Sequence, residues 1–321
     1  MTICHDLFTE YHTTIYLTSD KKEELRKSRN AIREKIRKYF KDELQLTVPK
    51  FYGQGSYMMN TTIVPIDGEY DVDDGVYLEH LKSKDEEDWS TPTKVHNWIV
   101  NAVKGHTSTP PEDKNTCVRV IYKANYHVDL PIYVMKGDHP KLAHKSEGWI
   151  DSDPKKLTKW FNDEVSSKGD QLKRVVRYLK GWKDFKEGDT KLPSGMVLTI
   201  LAANHFVSDH PNDDDKAFIE TVRAIKKELD ESFSLVRPVF PDEELINDWS
   251  ETKKNNFLNK LDSLIKKGDQ AIAESDKTSA SKKWITVFGS RFPEYEAPDS
   301  EAKAVFKSTA PAILGNHGRS A

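Results

Sequence analysis

Three aspartates set the first chemical question. Asp71 and Asp73 lie in YDVDDGVYL and Asp129 in YHVDLPIYV, and the residues around them are mostly strand formers. Strands disfavour Asp, and an unpaired carboxylate near a core is costly. Strand side chains alternate in direction, so Asp71 and Asp73 share one face with Val72 on the other. His127 and Asp129 share one face of their strand, opposite Val128, Leu130 and Ile132. If the two strands are neighbours, about 4.8 Å apart, Asp129 lies beside the other two acids. Three carboxylates at one point repel, and a pair of divalent cations reverses that repulsion. Mg²⁺ takes oxygen ligands. Two such ions roughly 3.5–4 Å apart can clamp the attacking and leaving oxygens of a phosphoryl displacement. Asp74 has the opposite parity and is not assigned as a ligand.

Just upstream stands GQGS (53–56). Gly53 and Gly55 permit a tight backbone approach. Exposed N–H groups around Ser56, at the start of a short helix, can hold a triphosphate. For Asp71 and Asp73 alone, a solvated acidic turn is an equal alternative. The Gly-Ser turn before them and Asp129 after them favour the metal reading.

These residues need elements to hold them. Residues 20–44 carry Leu25, Ile32, Ile36, Tyr39 and Phe40 as one apolar stripe, which predicts a helix. A β-rich stretch follows over about 46–135. Within it CVRVIYK (117–123) and YHVDLPIYV (126–134) read as a hairpin closed at Ala124-Asn125. Lys82–Ser90 reads as a charged loop and 95–103 as a short helix. After about residue 150 the pattern turns helical. Helices are expected from Asp153-Pro154 onward, over 169–185, over the apolar run 194–206, and over 214–229 and 252–273. The expected domains are 1–150, an N-terminal helix plus the β-containing core; 151–292, a helical lobe; and 293–321, a flexible tail rich in Pro, Ala, Ser and Gly.

Composition narrows the classes. The chain has 321 residues, 36% hydrophobic and 31% charged, with 49 Lys+Arg against 52 Asp+Glu and a net charge of -3. That fits a globular protein and not one that coats long nucleic acid. Cys4 and Cys117 are the two cysteines, so a disulfide scaffold is not expected and a reducing, cytoplasmic setting is. Neither a signal peptide nor an apolar run of membrane-spanning length is read from the sequence, and no membrane partner is expected.

GQGS, DVDDGVYL and YHVDLPIYV together resemble the polymerase-β-like nucleotidyltransferases. WIDSDPKKLTKWF, GDQLKRVVRYLKGWKDF, KLPSGMVLTILAANHF and VFGSRFP narrow the resemblance to the bacterial CD-NTases, the cyclic-oligonucleotide synthases of CBASS anti-phage systems. It spans about residues 50–293. The resemblance implies an α+β, bilobed fold: a nucleotidyltransferase core with a mixed sheet flanked by helices, and a C-terminal helical lobe. It implies that two nucleoside triphosphates (ATP, GTP or pyrimidine NTPs) bind between the lobes. A ribose hydroxyl of one attacks the α-phosphorus of the other, pyrophosphate leaves, and the linear intermediate cyclises.

Residue by residue, the resemblance implies that Asp71, Asp73 and Asp129 hold two Mg²⁺ ions, for which Mn²⁺ can substitute, and that Asp129 helps deprotonate the attacking hydroxyl. Gln54, Gly55 and Ser56 would contact the donor phosphates, and Lys180 and Ser194 would reach them from the helical lobe. Ser194 also reads as an N-cap after Pro193. Arg119, given parity with Asp129 across the hairpin, would touch the acceptor nucleotide or else be a surface arginine; Tyr57 would stack on a base or sit in the core, and Asp242 would read a base edge. Arg174, Arg177 and Lys180 lie one helical turn apart, opposite the apolar stripe; such a row is ordinarily a solvated face. The product would activate a separate effector protein, and an E1/E2-like ligase is a candidate partner at the C-terminal Ala321. The cysteines show no zinc spacing, so activation by DNA is not expected. A template-free transferase acting on an RNA 3′ end or a protein, and a catalytically dead nucleotide-binding module, are the competing readings.

Overall fold

The strand expected at the aspartates forms the centre of an eight-stranded mixed sheet. The computed structural model describes residues 4–297. In it β2 (Tyr70–Tyr77) pairs antiparallel with β1 (Lys50–Gln54) on one side. On the other it runs parallel to β5 (Tyr126–Leu130) and then β6 (Ile132–Lys136). Pro131 separates those two strands, and its carbonyl still accepts from the Val76 N–H. The expected hairpin closes as β4 (Val118–Tyr122) against β5, with Asn125 at φ 59° in the turn. β3 (Glu112–Asp113) extends it on the outer side, and β7 (His139–His144) and β8 (Gly148–Asp151) extend β6. β7 and β8 fall outside the sequence-based β stretch.

Helices cover one face of this sheet. α2 (Ser19–Lys38) is capped by the Thr18 side chain and buries Leu25, Ile32 and Ile36, and Phe40 follows in a π turn. α4 (Pro92–Val103) buries Val95, Ile99 and Ala102. All of these except Leu25 meet Val76, Val118, Val120, Val128, Leu130, Ile132 and Val134 in one core, while Leu25 packs with Leu17, Tyr70, Val72 and Tyr126 in a smaller one. Full burial of each aliphatic side chain contributes roughly 1.5–3 kcal/mol. Asp74 points into this covered face, fully buried, where Arg33 of α2 donates two hydrogen bonds to it. The alternation argument for keeping Asp74 apart from Asp71 and Asp73 is therefore met by a dedicated counter-ion.

The helical lobe comprises α5 (Pro154–Lys168), α6 (Gln171–Lys186), α7 (Gly195–His205), α8 (Asp214–Glu231), α9 (Glu251–Ile272) and α10 (Lys277–Phe288). Its core also takes Leu7, Phe8, Tyr11 and Ile15 from α1 (His5–Ile15). Thus the chain's first helix, grouped by sequence position with the β-containing core, packs with the helical lobe. α1 and α10 were not read from the sequence, although Leu7, Phe8, Tyr11 and Ile15, and likewise Ala280, Trp284, Val287 and Phe288, recur at helical spacing. Phe8 makes edge contacts with Tyr178 and Trp284 at 5.1 and 4.8 Å between ring centroids. Most of the expected tail, and with it Ala321, lies outside the described residues.

The row Arg174, Arg177 and Lys180 is not a solvated face. Arg177 and Lys180 are buried. Arg174 donates two hydrogen bonds to the fully buried Asp214, which also accepts from Gln171 and Tyr178. Arg177 donates to His12 Nε2 at 2.7 Å and to the Asn60 carbonyl, tying α6 to α1 and to the loop before β2. Burial and the neighbouring Arg177 and Arg174 lower the His12 pKa to about 4, so the imidazole is neutral and accepts. Removing one member of such a buried set leaves charge unpaired. Asp214→Ala is expected to lower unfolding free energy by about 3–5 kcal/mol, read by denaturant titration. A loss under 1 kcal/mol would contradict this account.

Candidate active site

A cleft of about 770 Å³ opens between the sheet and the helical lobe. Its floor is the uncovered face of β2 and β5. In the parallel register Asp73 stands opposite Asp129 and Asp71 opposite His127. All three aspartates line the cleft. Asp73 lies deepest. Burial first, then Asp71 and Asp129, push its pKa up to about 8.

Arg119 on β4 is the cross-strand partner of Asp129. Its guanidinium donates to both carboxylate oxygens at 2.7 Å and reaches Asp71 at 4.0 Å. The expected parity of Arg119 with Asp129 is therefore present, and in the free protein the arginine is the counter-ion of an acid in the site. Among the described residues no three His, Cys, Asp or Glu side chains stand as a ready metal cage. The donor set nonetheless fits Mg²⁺, which commonly takes one or two carboxylates and completes its shell with waters and substrate phosphate oxygens. Asp73, driven toward protonation by desolvation and by two neighbouring acids, is the group a cation would relieve.

The Gly-Ser turn adjoins the acids. β1 ends at Gln54, and α3 (Gly55–Met58) is a single turn. Gly55 has φ 66°, and a Cβ there would lie 2.2 Å from Asp73 Oδ2. Gln54 is buried and donates to the Tyr133 hydroxyl at 3.1 Å, and its own Oε1 has no partner among the described residues. Ser56 Oγ hydrogen-bonds Thr62 Oγ1 at 2.8 Å. Gln54, Gly55 and Ser56 all line the cleft.

Tyr57 does not. It packs beside Leu17, Leu25, Tyr70, Val72 and Tyr126, with its hydroxyl on the Lys22 carbonyl and Arg29 over its ring. The core alternative holds for Tyr57, because the one-turn helix swings the residue after Ser56 away from the acids.

From the helical lobe, α6 brings Lys180 to the cleft. Its Nζ donates to the Thr61 carbonyl and hydroxyl at 3.0 and 3.1 Å. Burial, aided by Arg177 and Lys183, lowers its pKa to about 7. Ser194 is exposed and caps α7 through the Val197 N–H at 3.3 Å; the next residues, Gly195 and Met196, line the cleft. Its capping role is thus present, at the cleft's rim. Asp242 is exposed and absent from the cleft lining, so its expected position at a base edge is not met. The segment before it reaches the β6–β7 turn, where Phe240 meets His139 at 4.6 Å between centroids. Arg237, from that same segment, does line the cleft and pairs with Glu243. Sequence reasoning missed Arg237, Lys183 and Asp184. The signal for the last two was their place three and four residues after Lys180, on the same helical face.

Comparison with known proteins follows the same outline. Residues 49–133 match the family described as cyclic GMP-AMP synthase DncV-like, nucleotidyltransferase domain, and residues 169–298 match the cyclic GMP-AMP synthase C-terminal domain. A cyclic GMP-AMP synthase from Escherichia albertii is 33% identical over 224 residues, covering 66% of this chain and 48% of that protein. A c-di-GMP synthase from Roseivirga ehrenbergii is 25% identical over 264 residues, covering 68% and 67%. The chain thus spans about half the length of the first. Among solved structures, the Vibrio cholerae DncV cyclic AMP-GMP synthase in complex with nonhydrolyzable GTP superposes with a TM-score of 0.77. It is 21% identical and covers 91% of this chain and 97% of that one. At that identity the likeness establishes the α+β fold, with its mixed sheet and C-terminal helical lobe.

Proposed function

The chain belongs to the DncV-like nucleotidyltransferase family, and from that premise we propose that it joins nucleoside triphosphates into a cyclic di- or trinucleotide. The observation that carries this is Asp71, Asp73 and Asp129 together on the floor of a cleft whose helical wall supplies Lys180. Asp71, Asp73 and Asp129 would hold two Mg²⁺ or Mn²⁺ ions, which when bound polarise the reacting phosphate and neutralise its charge.

The chain's own residues do the rest. The turn at Gln54–Ser56 faces the donor triphosphate with backbone N–H groups and the Ser56 hydroxyl. Lys180 offers a cation from the opposite wall. A ribose hydroxyl of the acceptor forms the new bond to the α-phosphorus, and the bond to pyrophosphate breaks. Asp129 accepts the hydroxyl proton once Arg119 turns from it to the acceptor. Repetition on the linear product closes the ring. On the same reading the product signals to an effector in anti-phage defence, from a cytoplasmic setting. No helix among the described residues is long and apolar enough to cross a membrane.

The test is incubation with four labelled NTPs and Mg²⁺ or Mn²⁺, then phosphatase treatment and mass spectrometry. A phosphatase-resistant cyclic product, lost in Asp71→Asn/Asp73→Asn, is expected. Open-chain products alone would favour a template-free transferase, and no product would overturn the reading.

Lys180 adds a pH signature. Above about pH 7 its buried amine is neutral in the free protein, and a bound triphosphate favours the charged form. Nucleotide binding at pH 8 should therefore take up protons, and affinity should weaken as pH rises from 7 to 9. Calorimetry in two buffers of different ionisation enthalpy measures the uptake, which Lys180→Met should abolish. Equal uptake in that variant would exclude Lys180.

A further inference from the structure

A second cavity, of about 180 Å³, lies in the helical lobe and is lined by Trp182, Lys186, Lys260, Ser263, Leu264, Lys267 and Val287. Trp182 and Lys186 lie on a different side of α6 from Lys180 and Lys183, which line the cleft. Lys260, Ser263, Leu264 and Lys267 follow the 3, 4, 7 spacing of one stripe on α9.

The charges around this cavity are sorted. Several other lysines of the lobe have acidic partners: Lys168 with Glu164, Lys183 with Glu187, Lys226 with Asp230 and Asp262. The nearby acids of α9, Asp262 and Asp269, lie on its other side and pair with Lys226 and Arg223 of α8. Lys186, Lys260 and Lys267 take part in no ion pair among the described residues, and each is partly buried. Lys186 Nζ has one protein acceptor, the Thr286 carbonyl at 2.8 Å. Burial, reinforced by Lys267 and Lys260, lowers its pKa to about 8. Three half-buried like charges around one hollow cost stability unless an anion offsets them.

We propose that Lys186, Lys260 and Lys267, with the Ser263 hydroxyl, form a binding site for a di- or triphosphate group between α6, α9 and α10, outside the cleft. The apolar floor of Trp182, Leu264 and Val287 excludes water beneath the anion and strengthens each charge contact. The cavity has under a quarter of the cleft's volume, which suits a phosphate chain and not a whole nucleotide. Inorganic pyrophosphate and the triphosphate end of a nucleotide share this chemistry.

The test uses the full chain without divalent metal, in EDTA, with binding read by calorimetry and by the melting temperature. Lys180→Gln serves as the background that weakens the cleft. Pyrophosphate is expected to bind and to raise the melting temperature in that background. Adding Lys260→Gln and Lys267→Gln should weaken binding by roughly tenfold or more, given two charge-assisted contacts removed. Without anion the same pair should melt no lower than its parent, because two repelling charges are gone. That result separates a lost site from a lost fold. In a parallel arm with ATP, loss of binding in the double lysine variant assigns the nucleotide's phosphate end, whereas pyrophosphate binding without ATP binding assigns the free anion. Unchanged pyrophosphate affinity in the double variant, no binding in the Lys180→Gln background, or equal protection by sulfate at matched ionic strength would each overturn the proposal.

Discussion

Asp73→Asn is expected to lower nucleotidyl transfer roughly a thousandfold or more while making the metal-free protein more stable at pH 8. The activity loss follows from removing a carboxylate that would hold the reaction's metal ions, a contribution of several kcal/mol. The gain in stability follows from the electrostatics of the free site. Asp73 is half-buried beside Asp71 and Asp129, and desolvation together with those two charges raises its pKa from the ordinary 3.8 to about 8. The unfolded chain therefore loses this proton near pH 4, whereas the folded chain keeps it until about pH 8. The stability contributed by the protonated group is fully present below pH 4 and declines as pH rises to 8. Asparagine carries no charge and has no such decline. The variant should exceed wild type by an amount on the order of a few kcal/mol at pH 8 and differ little near pH 4. Thermal melts in EDTA across that range measure the difference. Mg²⁺ with nucleotide should narrow the gap by stabilising wild type alone. A variant less stable than wild type at pH 8, or one that retains activity within tenfold, would contradict this account of the acids.

Gly55→Ala carries the second large effect. Gly55 has φ 66°, and a Cβ there would lie 2.2 Å from Asp73 Oδ2. Either the carboxylate or the turn must move. Displacements near 1 Å in a reacting site cost on the order of a hundredfold, so activity should fall by at least that much. The backbone penalty for a left-handed alanine is only about 1–2 kcal/mol, and the protein should remain folded. Gly105 provides the control. It has φ 69° with nothing within 4 Å of the position its Cβ would take. Gly105→Ala should incur a similar stability cost with little change in activity. Equal losses of activity at the two positions would show that backbone strain alone, and not the contact with Asp73, explains the effect.

The sequence by itself determined which face each aspartate takes. Alternation along a strand depends only on neighbouring dihedrals, so Asp71 and Asp73 were separable from Asp74 without knowledge of any partner. The apolar stripes of α2 and α6 were legible for the same reason. The hairpin was legible too, but not its register: a two-residue turn at Ala124-Asn125 would set Arg119 opposite Leu130, and it is the three-residue turn that sets it opposite Asp129.

Tertiary structure decided which polar faces are covered. On α6 the row Arg174, Arg177 and Lys180 has the spacing of a solvated face, yet α1 and α8 pack over it and supply His12 and Asp214 from far along the chain. Tyr57 follows Ser56 in sequence but points into a small core, because Leu17 and Tyr126 meet there. Asp242 stays exposed while Arg237 reaches the cleft, a choice made by how an irregular segment passes the β6–β7 turn. Periodicity reports the direction of a side chain relative to its own element. What waits on that side is set by contacts between distant elements, which no local spacing encodes.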